Sequence, residues 1–330
     1  MPDRPPVRIG VVGAGSMGSL HARVIAGFGR TELAWIADPD RERGQRIANK
    51  YGCPWRPEVD FGGVDAVVVA APTQFHHDIA RGVIEAGVPL LLEKPLADEL
   101  QHSRDLVALA SSRRSVLTCG LLERFNPAVR TAAEIVREPL HVSTVRHSPY
   151  AERIRTGVAG DLLIHDVDFA IRLFGEVPAS VTGLCGYFEP RSDVRSEDTA
   201  EAVLKFPAGQ VASLSASRVS QRKTRTVVIA ELGRVVEVDL LRQDITVYRH
   251  VQASEFDQDM GYSQQTIIDI PVVRYLGEPL QLQLEHFLEL IDGDGDREGE
   301  LASLLPSHEV VAQFMEAARS TGDGPAVGAR

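Results

Sequence analysis

Three short stretches carry residue types whose spacing could move a hydride and a proton. The first is Gly13-Ala14-Gly15-Ser16-Met17-Gly18, a G-x-G-x-x-G run between the apolar segment 7–12 and an expected helix. In that setting the first glycine permits a tight turn and the second lets backbone approach a pyrophosphate. The third allows close helix–strand packing. The second stretch is Glu93-Lys94-Pro95, after the apolar run 88–92. A lysine at the carboxyl end of a parallel strand could hydrogen-bond a substrate hydroxyl or carbonyl and stabilise its oxyanion-like form. Pro95 is a candidate for a cis peptide bond. The third stretch holds Asp161, His165 and Asp168. Asp161 and His165 are four residues apart, so on a helix they share a face. A carboxylate that orients an imidazole and stabilises its charged form suits a general base. The same pattern suits a polar cap or a fragment of a metal site, although no further ligand cluster supports a metal.

The elements that must hold these residues follow from hydrophobic patterning. Apolar runs at 7–12, 33–37, 66–71, 88–92 and 116–119 alternate with helical stretches, which predicts a parallel, doubly wound α/β sheet. Asp38 closes the second strand, twenty residues after Gly18. A carboxylate there would accept from the adenine-ribose hydroxyls and repel a 2′-phosphate, so NAD is expected over NADP. The nearby Arg41 and Arg43 keep NADP open. Beyond a helix beginning near Asn126, strand-like runs dominate at 140–147, 180–188, 199–206, 210–218, 224–230, 234–239 and 244–249. They predict a second α/β domain with a large, mostly antiparallel open sheet. The boundary is placed at Leu122, giving domains 1–122 and 123–330. Helices near 281–291 and 307–319 close the chain, and one of them is a candidate to pack back on the first domain.

Composition bounds the partners. The chain has 330 residues and a formal net charge of −11, which argues against a nucleic-acid partner. The three cysteines, Cys53, Cys119 and Cys185, show no C-x-x-C spacing, so neither a disulfide framework nor a zinc site is expected. No secretory signal and no apolar run approaching the ~18 residues of a membrane span is found. A cytoplasmic protein without a membrane partner is the expectation.

Together the motifs resemble the glucose–fructose oxidoreductase / inositol dehydrogenase family (Gfo/Idh/MocA). The resemblance rests on Gly13 to Gly18, the stretch Ala71-Pro72-Thr73-Gln74-Phe75-His76, Glu93-Lys94-Pro95, and the Asp161/His165 pair, and it covers essentially the whole chain. It implies a Rossmann domain, a C-terminal α/β domain, a nicotinamide cofactor and a sugar-like or cyclitol substrate. It implies Lys94, Asp161 and His165 as catalytic residues. Lys94 would bind the reacting hydroxyl, His165 would exchange its proton, and Asp161 would position the site. Members differ over whether lysine or histidine is the formal acid/base. Gly13, Gly15, Ser16, Met17, Gly18, Asp38, Pro72, Thr73, His76, Glu93 and Lys94 would line the cofactor. A homodimer or homotetramer is also implied.

The stretches 123–127, 147–153 and 163–168 look like the branch that contains UDP-N-acetylglucosamine 3-dehydrogenases. That likeness implies oxidation at C3 of a nucleotide sugar. Arg124, Asn126, Arg153 and Arg155 then join Lys94, Asp161 and His165 as substrate-binding candidates, the arginines for a diphosphate. The alternatives are an inositol, cyclitol or sugar-phosphate dehydrogenase and, in another class, a nicotinamide-binding sensor without turnover. The basic stretch Arg218 to Arg225 reads as an exposed sheet edge or subunit contact rather than a phosphate site. Asp292, Asp294 and Asp296 read as an acidic surface loop. Arg297 and Ser303 stand where a calcium loop needs glycine and glutamate.

Overall fold

The structure is a computed structural model that describes residues 5–151, 156–193, 196–252 and 264–320. Two compact units emerge, Met1–Leu122 with Glu278–His308, and Glu123–Gly277 with Glu309–Arg330.

In the first unit, β1 (Val7–Val12), α1 (Ser16–Gly27), β2 (Thr31–Ala37), α2 (Arg41–Tyr51), β3 (Trp55–Arg56) and β4 (Ala66–Val69) follow in order. Then come α3 (His76–Glu85), β5 (Leu90–Leu92), α4 (Leu100–Arg113) and β6 (Leu117–Cys119). Among the described residues the strands pair in parallel in the order β3-β2-β1-β4-β5-β6, the dinucleotide-binding arrangement. Both faces of such a sheet are covered, so its strands read as unbroken apolar runs. Val67, Val68, Val69, Leu90 and Leu92 have no exposed surface. β3 escaped the sequence reading because two residues carry no periodicity.

The second unit opens with α5 (Pro127–Ile135), β7 (Pro139–His147), a π-helical turn at Ala159–Leu163 and α6 (Ile164–Phe174). Its remaining strands are β8 (Ser180–Gly186), β9 (Thr199–Lys205), β10 (Val211–Ser217), β11 (Thr224–Glu231), β12 (Arg234–Asp239), β13 (Asp244–Gln252) and β14 (Gln264–Asp269). They pair as β14-β13-β12-β11-β7-β10-β9-β8, antiparallel except for the parallel β7–β10 pair. Alternation is clear on β9, where Ala200, Ala202 and Leu204 are buried and Glu201, Val203 and Lys205 are exposed. The inner residues form one core with Leu163 and Val167 of the helical segment.

The chain closes with α7 (Pro279–Asp292), α8 (Arg297–Ala302) and α9 (Leu305–Ser320). The sequence reading assigns 123–330 to the second domain, whereas Glu278–His308 lies in the first unit. The cause is the apolar stripe of α7. Leu280, Leu284, Phe287 and Leu288 pack with Ile9, Ile25 and Leu33. Burying a side chain such as Phe287 contributes roughly 1.5–3 kcal/mol. The acids after α7 have local work: Asp292 pairs with Arg30, and Asp296 caps α8 by accepting from the Gly299 N–H.

Candidate active site

The glycine loop joins β1 to α1. Gly13 has φ +95°, and a Cβ there would lie 2.7 Å from the Ala70 carbonyl oxygen. A Cβ on Gly18 would lie 1.7 Å from the Gly13 oxygen, whereas one on Gly15 would meet nothing within 4 Å. Two glycines therefore serve packing, and Gly15 opens onto free space. Gly15 is also the N-cap of α1, with no side-chain acceptor and no acid in the first turn. The positive end of that helix is left to a ligand anion, which fits the diphosphate of a dinucleotide. Ser16 is exposed and Met17 half-buried beside it. Gly18→Ala is expected to destabilise the first unit by about 1–3 kcal/mol and to weaken NAD binding, read by thermal melting and NADH titration.

Asp38 follows β2 and is buried. Its Oδ2 accepts from the Ala14 N–H (2.7 Å) and from Arg43 Nε (3.2 Å). Its Oδ1 accepts from the Asp40 N–H (2.9 Å) and from an Arg43 terminal nitrogen (2.9 Å). The carboxylate assigned by sequence to the adenine ribose thus also ties the glycine loop to the start of α2. Burial opposes its charge, but Arg43 and the two backbone donors outweigh burial and hold its carboxyl below the ordinary range. A depressed carboxyl stabilises the fold above its unfolded pKa of about 4 and loses that contribution as pH falls through the lower folded value. The stability gap between wild type and Asp38→Asn is therefore expected to be widest above about pH 5 and to close on acidification.

The Lys94 loop is pinned on both sides. The Lys94–Pro95 peptide is cis. Glu93 is buried, its Oε1 2.7 Å from Nε2 of the buried His21 on α1, while Oε2 accepts from the Lys94 N–H at 3.3 Å. His76 sits between two backbone carbonyls, Nδ1 2.8 Å from the Pro95 oxygen and Nε2 2.8 Å from the Ala71 oxygen. The Leu96 N–H donates to His308 Nε2 at 3.0 Å. Glu93 and His76, cofactor candidates by sequence, thus have their polar atoms engaged within the protein. Lys94 itself is half-buried. Pro72 and Thr73 stand at the 3-10 turn after β4, Pro72 exposed. His21 and His308 were missed because each lies far in sequence from the loop it anchors.

In the second unit, Asp161 lies in the π-helical turn and His165 in the first turn of α6. Both are half-buried, while Leu162, Leu163, Asp166 and Val167 are buried, so the pair shares the outward face. Such wide turns are frequent at functional sites. Each acid of this segment is met by an arginine from another element. Arg218, just beyond β10, donates to Asp161 Oδ2 at 2.8 Å. Arg146 of β7 binds Asp166 through two bonds of 2.9 and 2.8 Å. Arg124 binds Asp168 through two bonds of 2.8 and 2.5 Å. Glu197 accepts from the Ala159 N–H at 2.7 Å, and its carboxylate fills the space a Gly157 side chain would need. Burial raises the Glu197 pKa, against the Ala159 N–H that lowers it.

Several expectations change here. Asp168 is buried against Arg124, so the pair's charged groups are engaged with each other within the protein. Asn126 caps α5, accepting from the Ala128 N–H and donating to Glu123 and the Leu240 carbonyl, with 3% exposure. Arg153 and Arg155 lie outside the described residues. The reading of Arg218 to Arg225 as an exposed edge is corrected at its two ends: Arg218 is 2% exposed and Arg225 turns inward to Glu123 at 3.1 Å, whereas Arg222 and Lys223 between them are exposed. Arg146 was missed. Its signal was in the strand alternation, since it falls on the inward side with Val142 and Thr144.

Residues 7–121 match the family described as "Oxidoreductase family, NAD-binding Rossmann fold", and residues 137–236 match "GFO/IDH/MocA C-terminal domain". The chain is similar to UDP-N-acetylglucosamine 3-dehydrogenase of Acidithiobacillus ferrooxidans, with 31% identity over 73% of this chain and 77% of that one. It is similar to inositol 2-dehydrogenase of Rhizobium meliloti, with 28% identity over 87% of this chain and 89% of that one. A solved structure of the Acidithiobacillus ferrooxidans enzyme aligns with a TM-score of 0.82 and 27% identity, covering 96% of this chain and 99% of that chain. No described helix is long and apolar enough to cross a membrane.

Proposed function

The chain belongs to the Gfo/Idh/MocA family of NAD-binding oxidoreductases, and on that premise we propose that it oxidises the C3 hydroxyl of a nucleotide sugar. The observation that carries this reading is the extended likeness, in sequence and in structure, to a UDP-N-acetylglucosamine 3-dehydrogenase.

NAD, when bound, supplies the hydride acceptor. The α1 N-terminus and Gly15 receive its diphosphate, and Asp38 disfavours a 2′-phosphate. Lys94 donates a hydrogen bond to the reacting hydroxyl and stabilises the oxygen as negative charge develops. His165 takes the hydroxyl proton as the carbon's hydride leaves, so the alcohol becomes a ketone. Asp161, ion-paired with Arg218, orients His165 and stabilises its charged form. In the reverse direction His165 returns the proton.

The test is a panel of nucleotide sugars, sugar phosphates and inositols with NAD or NADP. NADH absorbance and product mass are the readouts. Oxidation of a nucleotide sugar with NAD preferred is expected; activity on inositols alone would overturn the proposal. The inositol reading has its own support in the 28% identity to inositol 2-dehydrogenase over 87% of this chain.

The active form is proposed to be a cytoplasmic homo-oligomer. Support for the oligomer is the outer sheet face of the second unit, where Leu184 is 55% and Val203 46% exposed.

A further inference from the structure

Basic side chains gather where β7 ends and β11 begins. In the antiparallel register Arg225 lies directly opposite Arg146. Like charges in that relation repel. Glu123 relieves them by accepting from Arg146 at 2.8 Å and from Arg225 at 3.1 Å. Asp166 takes the other edge of Arg146, and Asp161 takes Arg218. Lys223 stands two residues before Arg225, just outside β11, and is exposed. It has no ion-pair partner among the described residues. Four cations (Arg146, Arg218, Lys223, Arg225) thus gather around three carboxylates (Glu123, Asp161, Asp166).

We propose that Lys223 and Arg225 form an anion subsite that receives a phosphoryl group of the substrate. This rests on the nucleotide-sugar reading and deepens it. The subsite belongs to the same charged cluster as Arg218, the residue that holds Asp161. Arg225 turns its guanidinium toward Glu123, yet its side chain keeps 31% of its surface exposed beside the exposed Lys223. Ser220 shapes the connecting turn, donating from Oγ to the Arg222 carbonyl and accepting from the Arg222 N–H. Charge strain points the same way: neighbouring Arg225, then burial, lowers the Lys223 pKa, and burial, then Arg146, lowers that of Arg225. A multiply charged oxyanion matches two adjacent cations and relieves their repulsion.

The test uses the NAD-loaded, full-length protein, titrated calorimetrically with UDP and with inorganic pyrophosphate. Lys223→Ala is expected to weaken UDP binding and to raise KM for the nucleotide sugar, each roughly 10- to 100-fold, with a far smaller change in kcat. Lys223→Arg should restore most of both. Lys223 is exposed, so these variants leave the buried ion pairs in place. A matching KM effect on the sugar 1-phosphate assigns the subsite to the phosphate next to the sugar. An effect on the nucleotide sugar alone assigns it to the distal phosphate. If UDP binds in a Lys223-dependent way but no nucleotide sugar is oxidised, the reaction reading fails and the subsite stands. If a nucleotide sugar is oxidised with a KM indifferent to Lys223, the subsite is wrong. UDP and pyrophosphate binding equally well to wild type and Lys223→Ala would overturn it too.

Discussion

Replacing His165 by alanine is expected to lower turnover by roughly 10²–10⁴-fold while NAD binding persists. The expectation rests on local geometry. His165 opens α6 on its half-buried side, one turn from Asp161, while Asp166 and Asp168 on the buried side are committed to Arg146 and Arg124. Asp161 is the acid that shares the imidazole's face, and Arg218 holds it. Single-turnover rates followed across pH would report the proton acceptor. A limb present in wild type should vanish in His165→Ala, and Asp161→Asn should shift it to lower pH, because an imidazolium loses its stabilising charge. Unchanged turnover in His165→Ala would remove the histidine from the reaction and leave Lys94 as the proton acceptor.

Arg146→Leu should cost about 3–5 kcal/mol of stability, because it strands buried carboxylates. Arg146 is 2% and Asp166 1% exposed, and Glu123 accepts from the same guanidinium. Burial opposes the charge on Arg146, but Asp166 and Glu123 overcome it and drive its pKa further up. Burial likewise opposes the Glu123 charge, yet Arg146 and Arg225 hold its carboxyl below the ordinary range. The Glu123 contribution is therefore complete above about pH 4.3 and disappears as pH falls through the lower folded value. Urea unfolding of Arg146→Leu, Asp166→Leu and the double variant closes a cycle. The double variant is expected to recover most of the loss, since an apolar pair leaves no stranded charge from Asp166. A single-variant cost below about 1 kcal/mol would show that water reaches these carboxylates and that the network is not buried in solution.

These two sites differ in how far the sequence exposed them. The G-x-G-x-x-G run, the apolar strands and the Asp161/His165 spacing are local patterns, each governed by residues within a few positions of one another. They identified the Rossmann sheet, its cofactor and the candidate base. The second sheet was legible as a set of alternating strands. Its parallel β7–β10 pair was not, because register between distant strands leaves no local mark. α7 was legible as a helix, but its place on the first unit depends on which apolar surface lacks cover.

What the sequence determined by itself was chemistry carried by short motifs: an NAD-binding turn, a lysine at a strand end, and a carboxylate beside an imidazole. Tertiary structure alone decided what the charged residues do. Arg124 became a partner for Asp168 and Glu93 an anchor to His21. Arg218 and Arg225 turned from an apparent surface run into inward-facing cations. The physical reason is range. Backbone geometry and periodicity act over one turn or one strand. A buried charge is stable only beside a counter-charge that the fold brings from tens of residues away, as Arg218 is brought to Asp161 across 57 positions.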